Sequence, residues 1–156
     1  MKRLFTLFTT GILLSSAAMA ADVAVKTPYA RATAPGQPNS AVFMQINNQG
    51  EATRLVNASS SAAKVVELHA HTQDQGVMRM RQIDAIELPA NSQVELAPGG
   101  LHIMLIGLEA PLQDGSQIDM TLEFDDGTSE QLDVPVQMVM PAGMGHGQPM
   151  SHGKMH

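Results

Sequence analysis

From Asp22 to about Met138, apolar and polar residues alternate in short runs separated by turn residues such as Pro35-Gly36 and Asp114-Gly115. Alternation with a period of two is typical of strands that bury one face. No window of a dozen residues has the period of a helix, so long helices are not expected. Several short strands in one domain predict an all-β fold, a two-sheet Greek-key sandwich. The candidate strands are 23–32, 40–47, 63–71, 76–82, 84–88, 93–97, 101–107, 117–124 and 129–138.

The pair Asp126-Gly127 is a strong local signal. It lies between the alternating segments 120–124 and 131–134. Asp-Gly favours the tight turns that join two antiparallel strands. We therefore expect the last two candidate strands to form a hairpin. Asp125 and Asp126 are interpreted as turn residues rather than as a pair of catalytic acids.

The first twenty residues have a different pattern. Lys2 and Arg3 precede an apolar run from Leu4 to Leu14, and Ala18-Met19-Ala20 has the small-x-small form that signal peptidases cut. The apolar run is shorter than the roughly 20 residues needed to span a bilayer. We therefore predict a signal peptide over residues 1–20, export from the cytoplasm, and no membrane insertion after cleavage before Ala21.

The composition of the predicted mature chain excludes several classes of function. Without Lys2 and Arg3 the chain holds 7 basic and 15 acidic residues, a net charge of about −8 with histidine neutral, which disfavours a nucleic-acid partner. The sequence has no cysteine, and this excludes thiol redox chemistry, cysteine proteases and the thiolate-ligated blue-copper site. Methionine is abundant instead: of 12, Met1 and Met19 belong to the signal peptide and ten remain.

Three predicted strands each carry two potential metal ligands at positions i and i+2, where side chains project from the same face. The alternate positions of the first and third of these strands form a complete apolar face, so their ligands are expected to face outward or to line a shallow edge site. The alternate face of the middle strand carries Arg79 and Arg81. The isolated Met44 and Met120 are interpreted as core residues. The three pairs are His69/His71, Met78/Met80 and His102/Met104.

These side chains indicate which metal the site prefers. Thioether sulfur is soft and imidazole is borderline, whereas Ca²⁺ and Mg²⁺ prefer oxygen and structural Zn²⁺ usually recruits thiolate. Cu(I) therefore fits best. A His/Met site without thiolate should hold copper firmly and still release it to an acceptor with stronger ligands, which is the behaviour that a carrier needs.

The same segments resemble the PCu(A)C family of periplasmic copper chaperones. The family motif is a His, ten residues, a Met, twenty-one residues, and His-x-Met; His69, Met80, His102 and Met104 match it without a gap. The resemblance extends over roughly residues 22 to 138. It includes Val66-Glu67-Leu68-His69, Gly76-Val77-Met78-Arg79-Met80-Arg81, Pro98-Gly99-Gly100-Leu101-His102-Ile103-Met104-Leu105-Ile106-Gly107-Leu108, Tyr29-Ala30-Arg31, 57–60 and Pro111-Leu112.

The resemblance implies a cupredoxin-like sandwich over residues 21–140 that binds Cu(I) near its surface in the periplasm. It also implies delivery toward the CuA centre of cytochrome oxidase, often together with Sco-type proteins. His71 and Met78 lie outside the matched four. They are accessory ligands or ordinary strand residues, and the sequence leaves both readings open.

The composition changes abruptly after Met140. Residues 141–156, the His/Met tail, have abundant glycine and no apolar periodicity, so we expect this segment to be disordered without a ligand. Imidazoles and thioethers together suit a second, looser copper site, and the imidazoles suit Cu(II). The potential ligands of the tail are Met144, His146, Met150, His152, Met155 and His156.

Three other functions are weighed against a copper carrier. A hydrolase is disfavoured because the chain has no G-x-S-x-G or H-E-x-x-H motif and no glycine loop for phosphate. A copper oxidase would need ligands for O₂ chemistry, and two histidines in the motif offer little support for it. A periplasmic copper-buffering or resistance protein would look much the same in sequence. The expectation is a non-enzymatic copper chaperone, with copper buffering as the alternative.

Overall fold

The computed structural model describes residues 22–139, which form ten β-strands. Within this range there is no helix with the length and apolar character needed to cross a membrane. The predicted signal peptide and the His/Met tail lie outside the described residues. In chain order the strands are β1 (Val23–Arg31), β2 (Asn39–Asn48), β3 (Thr53–Ser59), β4 (Ala63–Asp74), β5 (Val77–Gln82), β6 (Ile86–Leu88), β7 (Ser92–Leu96), β8 (His102–Leu108), β9 (Gln117–Phe124) and β10 (Ser129–Gln137).

Strand β2 is the centre of the first sheet. It pairs antiparallel with β1, and its other edge pairs with two strands in succession, β8 along Asn39–Val42 and β7 along Met44–Asn48. The sheet continues from β8 to β4 and from β4 to β5, both antiparallel. The order β5-β4-β8-β2-β1 therefore places the three strands with predicted ligand pairs side by side.

The second sheet has the order β10-β9-β3-β6, with antiparallel neighbours. It joins the first sheet where β10 runs parallel to β1, with Ala30 beside Val136 and Arg31 beside Gln137. The ladder between β1 and β2 is interrupted between Lys26 and Tyr29. Two layers connected at one corner make the β-sandwich that the alternating pattern predicts.

One apolar core lies between the two sheets. Burying a side chain the size of Leu or Ile contributes about 1.5–3 kcal/mol, so this core supplies most of the stability of a chain without disulfides. Met44 and Met120 are 2% and 1% exposed, which confirms their interpretation as core residues. Fully buried side chains come from both layers: Val42, Ile46, Ile103 and Leu105 from the first sheet, and Leu55, Leu122 and Val134 from the second.

The alternating pattern predicts nine of the ten strands but not β3. The buried residues of β3 are Thr53, Leu55 and Ala58, so the spacing changes from two to three within the strand. The change coincides with a register shift against β9 between Leu55 and Asn57. An irregularity of this kind inserts an extra residue and reverses the face on which later side chains lie. β3 therefore lacks the strict alternation that marks the other strands in the sequence.

The predicted hairpin is confirmed. Strands β9 and β10 pair antiparallel, and Gly127 takes a φ of +84° in the turn between them. The Asp125 carboxylate accepts hydrogen bonds from the Thr53 hydroxyl at 2.7 Å and from Arg54 Nε at 2.8 Å, which tie β3 to the turn. The hydrogen bonds from Thr53 and Arg54 lower the pKa of Asp125 to about 2. Asp125 is thus a structural residue, as interpreted from the sequence.

Candidate metal centre

The outer face of the first sheet brings the predicted ligands together. His69 lies directly opposite His102 in the ladder between β4 and β8, and Glu67 lies opposite Met104. Directly opposed residues of an antiparallel ladder project to the same side. Leu68 and Ile103, one position along, are also opposed and lie in the core, at 4% and 0% exposure. The imidazoles and Met104 are therefore on the side of the sheet away from the core.

Strand β5 adds methionine to the same face. Met80 lies opposite His71 and Met78 lies opposite Gln73 in the ladder between β4 and β5. The four residues of the spaced motif thus occupy three consecutive cross-strand rows, which start at Met104 and end at Met80. Met78 belongs to the next row and is 55% exposed. The register places Met78 farther from Met104 than any of the four.

The three histidines form one cluster. The ring centroid of His102 lies 5.7 Å from that of His69 and 5.2 Å from that of His71. Phe43 of β2 packs on the other side, 6.2 Å from the His102 ring. His102 is 2% exposed. His102 therefore lies on the outer face of β8 and lines the pocket there, and the neighbouring rings cover it from solvent.

The turn before β8 fixes the orientation of His102. Gly99 has a φ of +83°, a conformation that glycine adopts readily, and the turn presents the Gly100 carbonyl to the histidine cluster. His102 Nδ1 donates to this carbonyl at 3.1 Å. Because a carbonyl oxygen only accepts, the proton is on Nδ1 and the lone pair is on Nε2. Nε2 of His102 is therefore the nitrogen available for a metal ion.

Glu67 fixes the orientation of His69, but it holds Nε2, whereas the turn holds Nδ1 of His102. The Nε2–H of His69 donates to Glu67 Oε2 at 2.7 Å. This bond leaves the lone pair on Nδ1, and Nδ1 is buried without a hydrogen-bond partner. A buried nitrogen without a partner is costly unless something else satisfies it. A bound metal ion would do so.

Burial sets the protonation of His102. Loss of solvent around the ring lowers the pKa of His102 from its ordinary value of 6.5. The hydrogen bond to Gly100 acts in the other direction, and charge on His71, His69 and Arg31 lowers the pKa further. His102 therefore stays neutral, as a metal ligand must, at pH values where an ordinary histidine is already protonated.

A pocket of about 540 Å³ opens beside the cluster. Its lining includes four predicted ligands together with Arg31 and Asn39. The guanidinium of Arg31 lies 5.6 Å from the centroid of Phe43. His69 and Met78 do not line the pocket. The ligands on its wall are His71, Met80, His102 and Met104.

The donor set decides which metal these residues fit. Among residues 22–139, no group of three His, Asp or Glu side chains is arranged to hold a metal ion. A metal ion on this face therefore depends on the thioethers of Met80 and Met104 as well as on imidazole. Mixed thioether and imidazole ligation fits a soft monovalent ion such as Cu(I) and disfavours Ca²⁺ or Mg²⁺.

Three residues that shape this site are not among the ligands predicted from the sequence: Glu67, Gly100 and Phe43. Glu67 has a detectable signal, since it lies two residues before His69 and shares its strand face. The contribution of Gly100 depends on a turn conformation, and that of Phe43 depends on the pairing of β2 with β8. The tail residues from Met144 to His156 lie outside the described residues.

Comparison with known sequences identifies related proteins. A family model described as "Putative lipoprotein LpqE-like" matches residues 23–136. Lxx21020 of Leifsonia xyli subsp. xyli, which has the same lipoprotein designation, is 40% identical over 115 residues, which are 72% of this chain and 69% of that protein.

Solved structures of copper-binding domains have the same fold. The copper-bound PCuAC domain from PmoF2 matches with a TM-score of 0.66 and 26% identity, over 77% of this chain and 96% of that domain. The solution structure of CuI-DR1885 from Deinococcus radiodurans matches with a TM-score of 0.63 and 28% identity, over 78% of this chain and 83% of that one. These likenesses confirm the predicted cupredoxin-like β-sandwich.

Proposed function

This chain belongs to the LpqE-like family, and we propose that it is a copper chaperone that works outside the cytoplasm. The proposed cargo is Cu(I), and the proposed ligands are His69, Met80, His102 and Met104. The observation that carries the proposal is the shared outer face of β5, β4 and β8, where two imidazoles and two thioethers occupy three consecutive rows.

The similarity to copper-binding domains supports the same cargo. Both the PmoF2 domain and DR1885 have been solved with copper. In this proposal copper is a cargo that the protein binds and then passes to another protein. The absence of thiolate from the whole sequence favours release to an acceptor whose ligands are cysteines.

The proposed acceptors are the CuA-bearing subunit of cytochrome oxidase and Sco-type proteins, and the proposed compartment is the periplasm. The predicted signal peptide and the lipoprotein designation of the family and of Lxx21020 support export. The acceptors follow from the resemblance to the PCu(A)C family. In this proposal the protein is a carrier and has no catalytic role.

The His/Met tail is proposed as a second copper site. The described part of the chain ends at Val139, two residues after Gln137, which pairs with Arg31 on the pocket wall. A further 17 residues follow, and a fully extended chain of that length spans at most about 60 Å. The ligands of the tail are therefore within chain reach of the pocket, so that copper captured by the tail can pass to the domain.

Directional transfer separates a chaperone from a copper buffer. Cu(I)-loaded protein is incubated anaerobically with an apo acceptor, either the CuA domain or a Sco-type protein. In one arrangement the two proteins are mixed, and in the other a dialysis membrane separates them. The same chelator is present in both. A chaperone transfers copper faster in contact than through the chelator. Equal rates with each acceptor would favour the buffering role, and catalytic turnover of O₂ by the copper-loaded protein would favour an oxidase.

A further inference from the structure

His71 lies at this site, although the spaced motif does not include it. It lies opposite Met80 in the ladder and lines the pocket. Its ring is 5.2 Å from the ring of His102, whereas the ring of His69 is 5.7 Å away. Between Met80 and His102, the face of the sheet therefore offers a second imidazole, nearer the pocket than His69.

The two histidines of β4 are held to different degrees. His69 is tied to Glu67 by a 2.7 Å bond, and its side chain is 13% exposed. Nδ1 of His71 reaches the Gly100 carbonyl only at 3.4 Å, and that oxygen already accepts the shorter bond from His102. A long bond to a shared acceptor restrains a ring weakly. His69 is thus the more firmly held imidazole of the pair, and His71 the more weakly held one.

We propose that His71 is an exchange ligand that takes Cu(I) from His69 and carries it to the pocket for release. The inference rests on the proposed function, because it concerns the same cargo. In the resident arrangement copper is bound by His69, and in the exit arrangement His71 replaces His69. His102 is common to both, since it neighbours each of the other two rings.

The exchange is balanced without a proton or an electron. One bond from copper to nitrogen forms at the ring nitrogen of His71 that carries no proton. One bond breaks at Nδ1 of His69. Copper remains Cu(I), and His102 remains attached throughout. Because His102 is retained, copper stays bound to the protein while it moves from His69 to the pocket.

The equilibrium affinity for Cu(I) and its rate of release together distinguish the roles of His69 and His71. Full-length mature protein loaded with one equivalent of Cu(I) is mixed anaerobically with bathocuproine disulfonate, and release is followed by stopped-flow absorbance. Equilibrium affinity is measured with the same chelator. We expect His71→Gln to change the affinity less than about threefold and to slow release at least tenfold. His69→Gln should instead lower the affinity at least tenfold.

Gln73→Ala is the matched control, because Gln73 is the next residue on the same face of β4, lies opposite Met78 and is exposed. Gln73→Ala should change neither the equilibrium affinity for Cu(I) nor its rate of release. A release rate of His71→Gln equal to that of wild type would overturn the exchange. A tenfold loss of affinity in His71→Gln would overturn it too, by making His71 a resident ligand.

Measurements on wild type keep the inference testable if the variant folds poorly. The ¹⁵N resonances of the His71 ring should shift or broaden when Cu(I) binds, since the ion visits this ring. Unchanged resonances in protein that binds one equivalent of Cu(I) would overturn the exchange and leave the proposed function intact. Wild-type protein that binds no Cu(I) would overturn both.

Discussion

His69 and His102 are 33 residues apart in sequence and directly opposite each other in the ladder between β4 and β8, with ring centroids 5.7 Å apart. Their neighbours Leu68 and Ile103 are also opposed and lie in the core. A slip of one residue would turn the apolar side chains outward, so core packing fixes the register. The same packing therefore sets the arrangement of the two imidazoles.

Replacing Met104 with leucine should remove a copper ligand and leave the fold intact, because the two side chains have similar volumes. We expect Cu(I) affinity to fall at least tenfold, about 1.4 kcal/mol or more. The Cu(I) affinity is measured by anaerobic competition titration of protein that ends at Met140, so that the tail does not contribute.

Met120→Leu is the matched control for Met104→Leu. Met120 is 1% exposed in the core, so the substitution removes a thioether that is not at the site. Its Cu(I) affinity should equal that of wild type. An unchanged affinity in Met104→Leu would show that the site is assigned to the wrong residues.

The fold was predictable wherever the side chains alternate strictly. β9 buries every second residue, and its residues lie on the expected faces. β3 was not found, because its irregularity between Leu55 and Asn57 breaks the period of two. The parallel pairing of Ala30 with Val136 joins distant parts of the chain, and a local sequence pattern does not predict such a pairing.

The site was predictable as a set of residue pairs but not as a geometry. Spacing of i and i+2 correctly places His69 with His71 and His102 with Met104 on one face. The burial of His102 depends on Phe43 from another strand, and the choice of its free nitrogen depends on the Gly100 carbonyl. Both contacts require the register and the turn, which composition and spacing do not specify.

Glu67 should set copper affinity without binding the ion. Glu67→Ala removes the acceptor that holds His69 Nε2, and losing such an outer hydrogen bond typically costs about 10–100-fold in metal affinity. Glu67→Gln retains an acceptor oxygen and should lose much less. Glu95→Ala, an exposed carboxylate on β7, is the control. Equal affinities of Glu67→Ala and wild type in Cu(I) competition would show that His69 needs no such support.

Cu(I) affinity should be nearly constant above about pH 7 and should weaken below the ordinary histidine pKa of about 6.5. Protons compete only at imidazole, since thioether sulfur has no proton to lose. Burial lowers the pKa of His102, so competition at this residue begins at a lower pH than at an ordinary histidine. Competition titrations from pH 5 to 8 should show at most two protons taken up per copper lost. Three or more would indicate that His71 or the tail also binds.

Asp125 should contribute to stability in a limited pH range. Its pKa is about 2 in the folded protein, below the ordinary 3.8, so the contribution is complete above pH 3.8 and is lost as the pH falls toward 2. Asp125→Asn should lower the melting temperature at pH 6, and its difference from wild type should shrink between pH 4 and pH 2. Glu109→Gln, at an exposed position, is the control. A difference that stays constant with pH would contradict this role.

The His/Met tail should provide the Cu(II) site. Its six potential ligands fall within thirteen residues, from Met144 to His156, and its imidazoles are the ligands that Cu(II) favours. Ordering each residue costs on the order of 1 kcal/mol, so the tail should bind more weakly than the domain site. Truncation after Met140 should abolish Cu(II) binding, measured by electron paramagnetic resonance, and should leave the Cu(I) affinity of the domain within a few-fold of the intact protein.

Full Cu(II) stoichiometry in the truncated chain would contradict the tail site. Cu(II) would then have to be held within the described domain, where His71 is the imidazole that the spaced motif does not use.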